Sequence, residues 1–329
     1  MPQENRSALT VVTEFFIVGF PGLQPEYFNL LAAFFLVIYV TTVLGNSVLV
    51  LSFAIAPKLQ KPMYITMLSL ALSDIGFSTV ALPKIISRYW FNNGYISFYV
   101  CLIQRQFIHY FGTLNSFILM TMALDRYLAI CFPLRYPSLM TNRTMSLLSG
   151  LSWVSAMIPP SISTIQTGRM VFCGSNLIIQ CYCDSVSMNS LACGDVNLQK
   201  YISTTVASIV LLLPFSFIIF SYISIGSSVI RTANNQARLK AFSTCATQLC
   251  IIGIYFIPRL FVYFIPYMPN FNMNIDQKLA VTMFYGFFPP LVNPFIYYFR
   301  TKEIRLLLFK WCTHKNGISQ EINVVAISK

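Results

Sequence analysis

Charge is the scarcest thing in this sequence. Its 329 residues include only 22 Lys or Arg, 10 Asp or Glu and 2 His. Charged residues reach 10%, where soluble proteins carry about a quarter, and that excludes an ordinary soluble chain. Histidine is scarcer still. His109 and His314 stand alone, and neither a His-Glu-x-x-His motif nor paired mid-segment aspartates occur. An enzyme built on a metal or an acid–base pair has nothing to start from, and no metal or cofactor is expected. No internal repeat or low-complexity stretch stands out. The paired halves and broken helices of a secondary transporter are therefore missing as well. Residues 1–26 lack a basic-then-apolar start, so no cleavable signal is read there.

What fills the chain is apolar: 56% of residues, with 15% aromatic. Tyr27–Pro57, Thr144–Gly168, Tyr201–Ile230 and Leu279–Phe299 contain no Lys, Arg, Asp or Glu. Pro62–Pro83, Leu102–Leu124 and Ala241–Phe264 are each interrupted once, by Asp74, Arg105 and Arg259. A membrane-crossing helix needs about 20 residues. The runs are continuous rather than alternating, which speaks against strands. The expectation is an all-α membrane protein, a seven-transmembrane helix bundle. Span 4 is expected to end near Pro159-Pro160, and span 6 to kink at Pro258. Beyond span 7, Ile304, Leu307, Leu308 and Trp311 share one helical face, with Lys302, Arg305 and Lys310 off it. That pattern suits a short amphipathic interfacial helix, with Cys312 a palmitoylation candidate.

The net charge of +12 would suggest nucleic acid in a soluble protein. Here its placement decides otherwise. Lys58 and Lys61 follow span 1, Arg135 and Arg143 follow span 3, and Arg231, Arg238 and Lys240 follow span 5. Arg300, Lys302, Arg305, Lys310 and Lys315 follow span 7. The alternate loops carry fewer basic residues, mixed with acids. The N-terminus is therefore expected outside and the C-terminus in the cytosol. The partition is an extracellular segment 1–26, a transmembrane domain 27–299 and a cytoplasmic tail 300–329. Asn5 is a glycosylation sequon on the outer side.

Cys173, Cys181, Cys183 and Cys193 lie in one outer loop, and Cys101 at the outer end of span 3. An oxidising compartment favours disulfides over zinc there. Spacing leaves the connectivity open, and five cysteines leave at least one without an intrachain partner.

Polar residues inside the spans carry the functional reading. Asp74 lies mid-span, with Asn46 and Asn293 as partners of similar depth. Arg105 and His109 are i and i+4 on one face of span 3, continued by Gly112, Thr113 and Ser116. Arg259 follows the Pro258 kink, near Tyr255 and Tyr263. With no carboxylate in the outer halves of the spans, this cationic rim suits an anionic or strongly accepting ligand group unless Asp276 or a loop acid reaches in.

Met122-Ala123-Leu124-Asp125-Arg126-Tyr127-Leu128-Ala129-Ile130-Cys131, Lys61-Pro62-Met63-Tyr64, Lys240-Ala241-Phe242-Ser243-Thr244-Cys245 and Asn293-Pro294-Phe295-Ile296-Tyr297 together resemble the olfactory receptors, within the rhodopsin-like G-protein-coupled receptors. Gly19-Phe20-Pro21-Gly22-Leu23 looks more like the fish-like class. The resemblance implies Cys101–Cys183 and Cys173–Cys193 bridges, with Cys181 left over. It also implies a small odorant in the outer cavity, set in membrane lipid. A heterotrimeric G protein of the stimulatory olfactory type would meet Asp125, Arg126, Tyr127 and Tyr297 and raise cyclic AMP. The rival within this superfamily is a non-olfactory small-molecule receptor. One departure stands out: Asn115 replaces the glutamate usual in span 3, removing a carboxylate that would join Asp74 in a sodium site.

Overall fold

The computed structural model describes residues 12–173, 175–193, 196–231, 235–264 and 273–314. Among them, seven helical stretches are long and apolar enough to cross a membrane. They are α1 (Phe28–Ile55), α2 (Pro62–Trp90), α3 (Phe98–Cys131), the pair α5 (Asn142–Ser155) and α6 (Ile158–Gly168), α8 (Asn197–Ile230), α9 (Asn235–Phe264) and α10 (Ile275–Arg300). Two short helices sit in loops: α4 (Tyr136–Leu139) and α7 (Ser185–Leu191). After α10 comes α11 (Lys302–His314).

Several helices start where side chains or prolines satisfy the first turn. Ser97 accepts the Val100 N–H and Thr141 the Thr144 N–H. Asn274 and Gln277 form a reciprocal capping box ahead of α10. Pro62 opens α2, where a missing N–H costs nothing.

Span 4 does not end near Pro159-Pro160. α5 stops at Ser155, and α6 resumes at Ile158 and continues to Gly168. The two prolines fall in the first turn of α6, whose N–H groups have no intrahelical acceptor anyway.

α3 runs through the centre, against α2, α5, α6, α8 and α9. Its buried Leu114, Ile118, Leu119 and Met122 join Leu70, Ile218, Ile251 and Phe256 in the main core. α11 tucks Ile304 fully inside and leaves Lys302 and Arg305 exposed. The side chains of Trp311 and Cys312 lie outside the described residues, as does Asn5.

The outer face adds a small sheet to the helices. β1 (Glu14–Ile17) pairs antiparallel with β2 (Tyr95–Ser97), in register Phe15↔Ile96, and parallel with β3 (Leu177–Ile178), in register Ile17↔Ile178. Phe15 and Ile17 are fully buried beneath it. Arg88 of α2 holds the strand from below: its Nε donates to the Ile17 carbonyl at 2.8 Å, and its guanidinium lies 5.2 Å from the rings of Phe16 and Phe28. Two disulfides fasten the loop above. Cys101–Cys183 has a Cα–Cα distance of 5.5 Å, and Cys173–Cys193 one of 5.8 Å. Cys181 is a free, buried thiol.

Candidate functional site

The site is organised by depth along α3. At its outer end Arg105 is fully buried. Its guanidinium donates to Ser163 Oγ at 2.6 Å and Thr164 Oγ1 at 3.0 Å on α6, and to Ser185 Oγ at 3.2 Å on α7. Arg105 therefore spends its donors on the wall of the bundle, joining α3 to span 4 and the outer loop. His109, one turn deeper, meets the same Ser185 Oγ through Nε2 at 2.9 Å.

Asp184 caps α7 by accepting the Ser187 and Val186 N–H groups. Burial pushes its carboxyl above the usual range, while those caps and the Arg105 charge act the other way. It forms no ion pair, since among the described residues Arg126–Asp125 is the only one.

One more turn down, α3 meets α9. The Tyr255 hydroxyl donates to the Gly112 carbonyl and lies 3.1 Å from Ser116 Oγ. A Cβ built on Gly112 would meet nothing within 4 Å, so open space adjoins it. Thr113 is turned into its own helix, donating to the His109 carbonyl.

Arg259 stands a turn above Tyr255. Its guanidinium carbon is 3.7 Å from the Tyr255 ring centroid and 4.9 Å from that of Tyr285, and Nη1 donates to the Tyr255 carbonyl at 2.8 Å. Such stacking contributes about 0.5–2 kcal/mol and leaves the remaining edge donors to face an anion. The Tyr263 side chain lies outside the described residues. Tyr182 and Cys181 roof this region, packed in one cluster with Ile108, Met283 and Phe287.

Mid-membrane, Asp74 accepts Asn293 Nδ2 at 2.7 Å and Asn115 Nδ2 at 3.2 Å. Asn115 therefore donates to this carboxylate, which the glutamate it replaces could not do when ionised. Asn46 does not join Asp74. It donates to the Thr42 and Pro290 carbonyls at 2.9 and 3.0 Å.

At the inner end, Arg126 and Asp125 are 2.9 Å apart, and the Tyr136 hydroxyl of α4 donates to the other Asp125 oxygen at 2.9 Å. Tyr127 packs on Phe132 and Phe220. Tyr297 is buried, its hydroxyl without a hydrogen-bond partner among the described residues.

Along α3, then, an Asp-Arg pair closes the inner end and Cys181 and Tyr182 pack over the outer one. The olfactory receptor family profile matches residues 35–315. The chain belongs to that family. Mouse olfactory receptor 1E16 is 36% identical over 305 residues, covering 93% of this chain and 95% of the relative. Human olfactory receptor 1J1 is 34% identical over 324 residues, with 98% of each covered. Squid rhodopsin, a crystal structure, shares the fold at a TM-score of 0.71 and 17% identity, covering 89% of this chain and 83% of that one. As an olfactory receptor, the chain is a multi-pass plasma-membrane G-protein-coupled receptor for small molecules, not an enzyme.

Four contributors to the candidate site carried no sequence signal of their own: Ser163 and Thr164 behind Arg105, Ser185 between Arg105 and His109, and Tyr285 beside Arg259. Hydroxyls and tyrosines are common in apolar spans, and only the fold tells which ones face a cation.

Proposed function

We propose that this olfactory receptor senses a small odorant bearing a carboxylate or comparably strong acceptor, with Arg259 as its anchor. The observation that carries the reading is a half-buried guanidinium held between Tyr255 and Tyr285, with no carboxylate in ion-pair distance among the described residues. Gly112 and Tyr255 offer the adjoining space and a hydroxyl. Arg105 and His109 act through Ser185 to set the outer wall. Ligand binding moves the inner end of α9 away from α3, releases Arg126 from Asp125, and opens a face formed with Tyr127 and Tyr297. The partner is a stimulatory olfactory-type G protein, and the output is cyclic AMP. An odorant biases this equilibrium only by its differential affinity for the two states. Membrane lipid is the other constant partner.

A cyclic-AMP reporter in transfected cells, challenged with acids, amines and neutral odorants, tests both halves. Acids are expected to activate, Arg259→Met to abolish that response, and Arg126→Ala to silence every ligand. Activation by amines alone would sink the ligand class. An intact response in Arg126→Ala would sink the coupling assignment.

A further inference from the structure

Between α2 and α3, at the outer rim of the bundle, lies a concavity of about 450 Å³. Pro83 and Lys84 line it from α2, Tyr95 from β2, and Val100, Ile103 and Phe107 from α3. It is separate from the proposed odorant site. At about 100° per residue, Ile103 and Phe107 stand on the opposite side of α3 from Arg105 and His109. Tyr95, Val100 and Ile103 are 58%, 54% and 57% exposed, so the cleft opens sideways, where a receptor of this family meets lipid. Gln104 closes its floor, donating to the Val80 carbonyl at 3.1 Å. Pro83 removes one rung from the α2 ladder, which bends a helix at that point.

Lys84 is the one cation in this wall. Its ammonium donates upward, to the carbonyls of Asn93 at 3.1 Å and Tyr95 at 2.5 Å. An ammonium has three donors, so one remains. No acid pairs with it among the described residues. Its Cα lies roughly 9 Å below Trp90 along the helix, and the side chain climbs back to the level of residues 93–95. At that level Trp90, Phe91, Tyr95 and Tyr99 are all exposed. Exposed aromatics at one height mark the membrane–water boundary, which is where lipid phosphates sit. Hydrocarbon gains nothing by leaving bulk lipid for an apolar groove. The distinguishing contact is therefore the charge-assisted bond to the ammonium.

We propose that this cleft is a specific site for one outer-leaflet phospholipid, its phosphate on Lys84 and one acyl chain laid along Ile103 and Phe107. The inference rests on the membrane placement of the family and is independent of the odorant class.

The test is photolabelling of the full chain in nanodiscs with a phosphatidylcholine carrying a diazirine in one acyl chain, the adducts mapped by mass spectrometry. Labelling within residues 95–107 is expected at least five-fold above that of the exposed α1 face around Phe34 and Val37. Lys84→Met and Ile103→Trp should each bring it down to the α1 level, and Lys84→Arg should keep it. Ile103→Trp fills the cleft without touching the Lys84 bonds, so it decides alone if Lys84→Met fails to fold. Equal labelling of the two faces in the parent chain, or unchanged labelling in the folded variants, overturns the proposal. So does displacement of the phospholipid by a sterol.

Discussion

The Asn46 amide donates to the Pro290 carbonyl across 3.0 Å, joining the first span to the seventh. That carbonyl is available because Pro294, four residues on, has no N–H to offer it. α1 comes close enough for this at Gly45, where an added Cβ would lie 3.0 Å from Pro294 Cγ. Asn46→Leu should lower stability by about 1–3 kcal/mol, the penalty for an unsatisfied buried acceptor. The apparent Tm of the detergent-solubilised receptor reads this, and an unchanged Tm would refute the pairing.

Arg105 and Arg259 should fail in different ways. Arg105→Met removes a buried cation's bonds to Ser163, Thr164 and Ser185 and should cost on the order of 1.5–3 kcal/mol, seen as lost surface expression. Arg259→Met breaks a stack and one carbonyl bond, so expression should stay near normal while the acid response disappears. Surface immunostaining beside the cyclic-AMP signal separates the two. Equal expression losses would remove the distinction.

Tyr136 braces the resting ion pair. Tyr136→Phe deletes its bond to Asp125 and should raise basal cyclic AMP several-fold, about 1 kcal/mol being a factor of five in the equilibrium. Burial, then the Asp125 charge, pushes the phenol up to about 12. Its folded value is raised, so its contribution is complete below the ordinary value of about 10 and is lost as pH rises through the folded value. Basal signalling should therefore show no Tyr136-dependent change between cytosolic pH of about 6 and 8. A titration in that window that vanishes in Tyr136→Phe contradicts this.

Cys181 faces an oxidising exterior, yet should be inert. It is 1% exposed, and burial pushes its thiol up to about 12. At neutral pH its thiolate fraction is some three orders of magnitude below that of a free cysteine. A membrane-impermeant maleimide should leave it unmodified in intact cells. Tyr89→Ala, which removes the hydroxyl 4.0 Å from its sulfur, should expose it. Rapid labelling of the parent receptor would show that the roof is open.

Gly112 adjoins empty space. Gly112→Val should fold, keep Tyr255 on the backbone carbonyl, and weaken odorant potency by about ten-fold, the worth of roughly 1.4 kcal/mol. Dose–response curves at matched expression decide it, and unchanged potency would place the odorant elsewhere.

The bundle was legible because hydrocarbon forces every backbone group to bond within its own segment, which writes about 20 apolar residues per crossing. Asp125-Arg126 was legible only through the resemblance carried by residues 122–131, since charges at a span's end by themselves merely mark the interface. The direction of long polar side chains was not. Helical spacing correctly puts Arg105 and His109 on one face, but Arg105 reaches sideways to Ser163 and Thr164. Hydroxyls in apolar helices usually satisfy themselves on the preceding turn, as Ser152 and Ser161 do here, so those acceptors gave no warning. Asn46 was matched to Asp74 by depth, whereas the gap left by Pro294 decided its partner. The outer strands have four, three and two residues, too few for an alternating pattern to register.

That sheet also sets an order of events during synthesis. β1 leaves the ribosome before any span, yet β2 follows α2 and β3 follows α6. The first strand can meet β2 once two crossings have been threaded, but its β3 edge stays open until four have been. Cys183, made just after β3, reaches Cys101 at the same stage. Sealing of the outer roof is therefore a late step in biogenesis, and a chain stalled before its fourth crossing presents an open strand edge and an unpartnered thiol to the quality-control machinery of the secretory lumen.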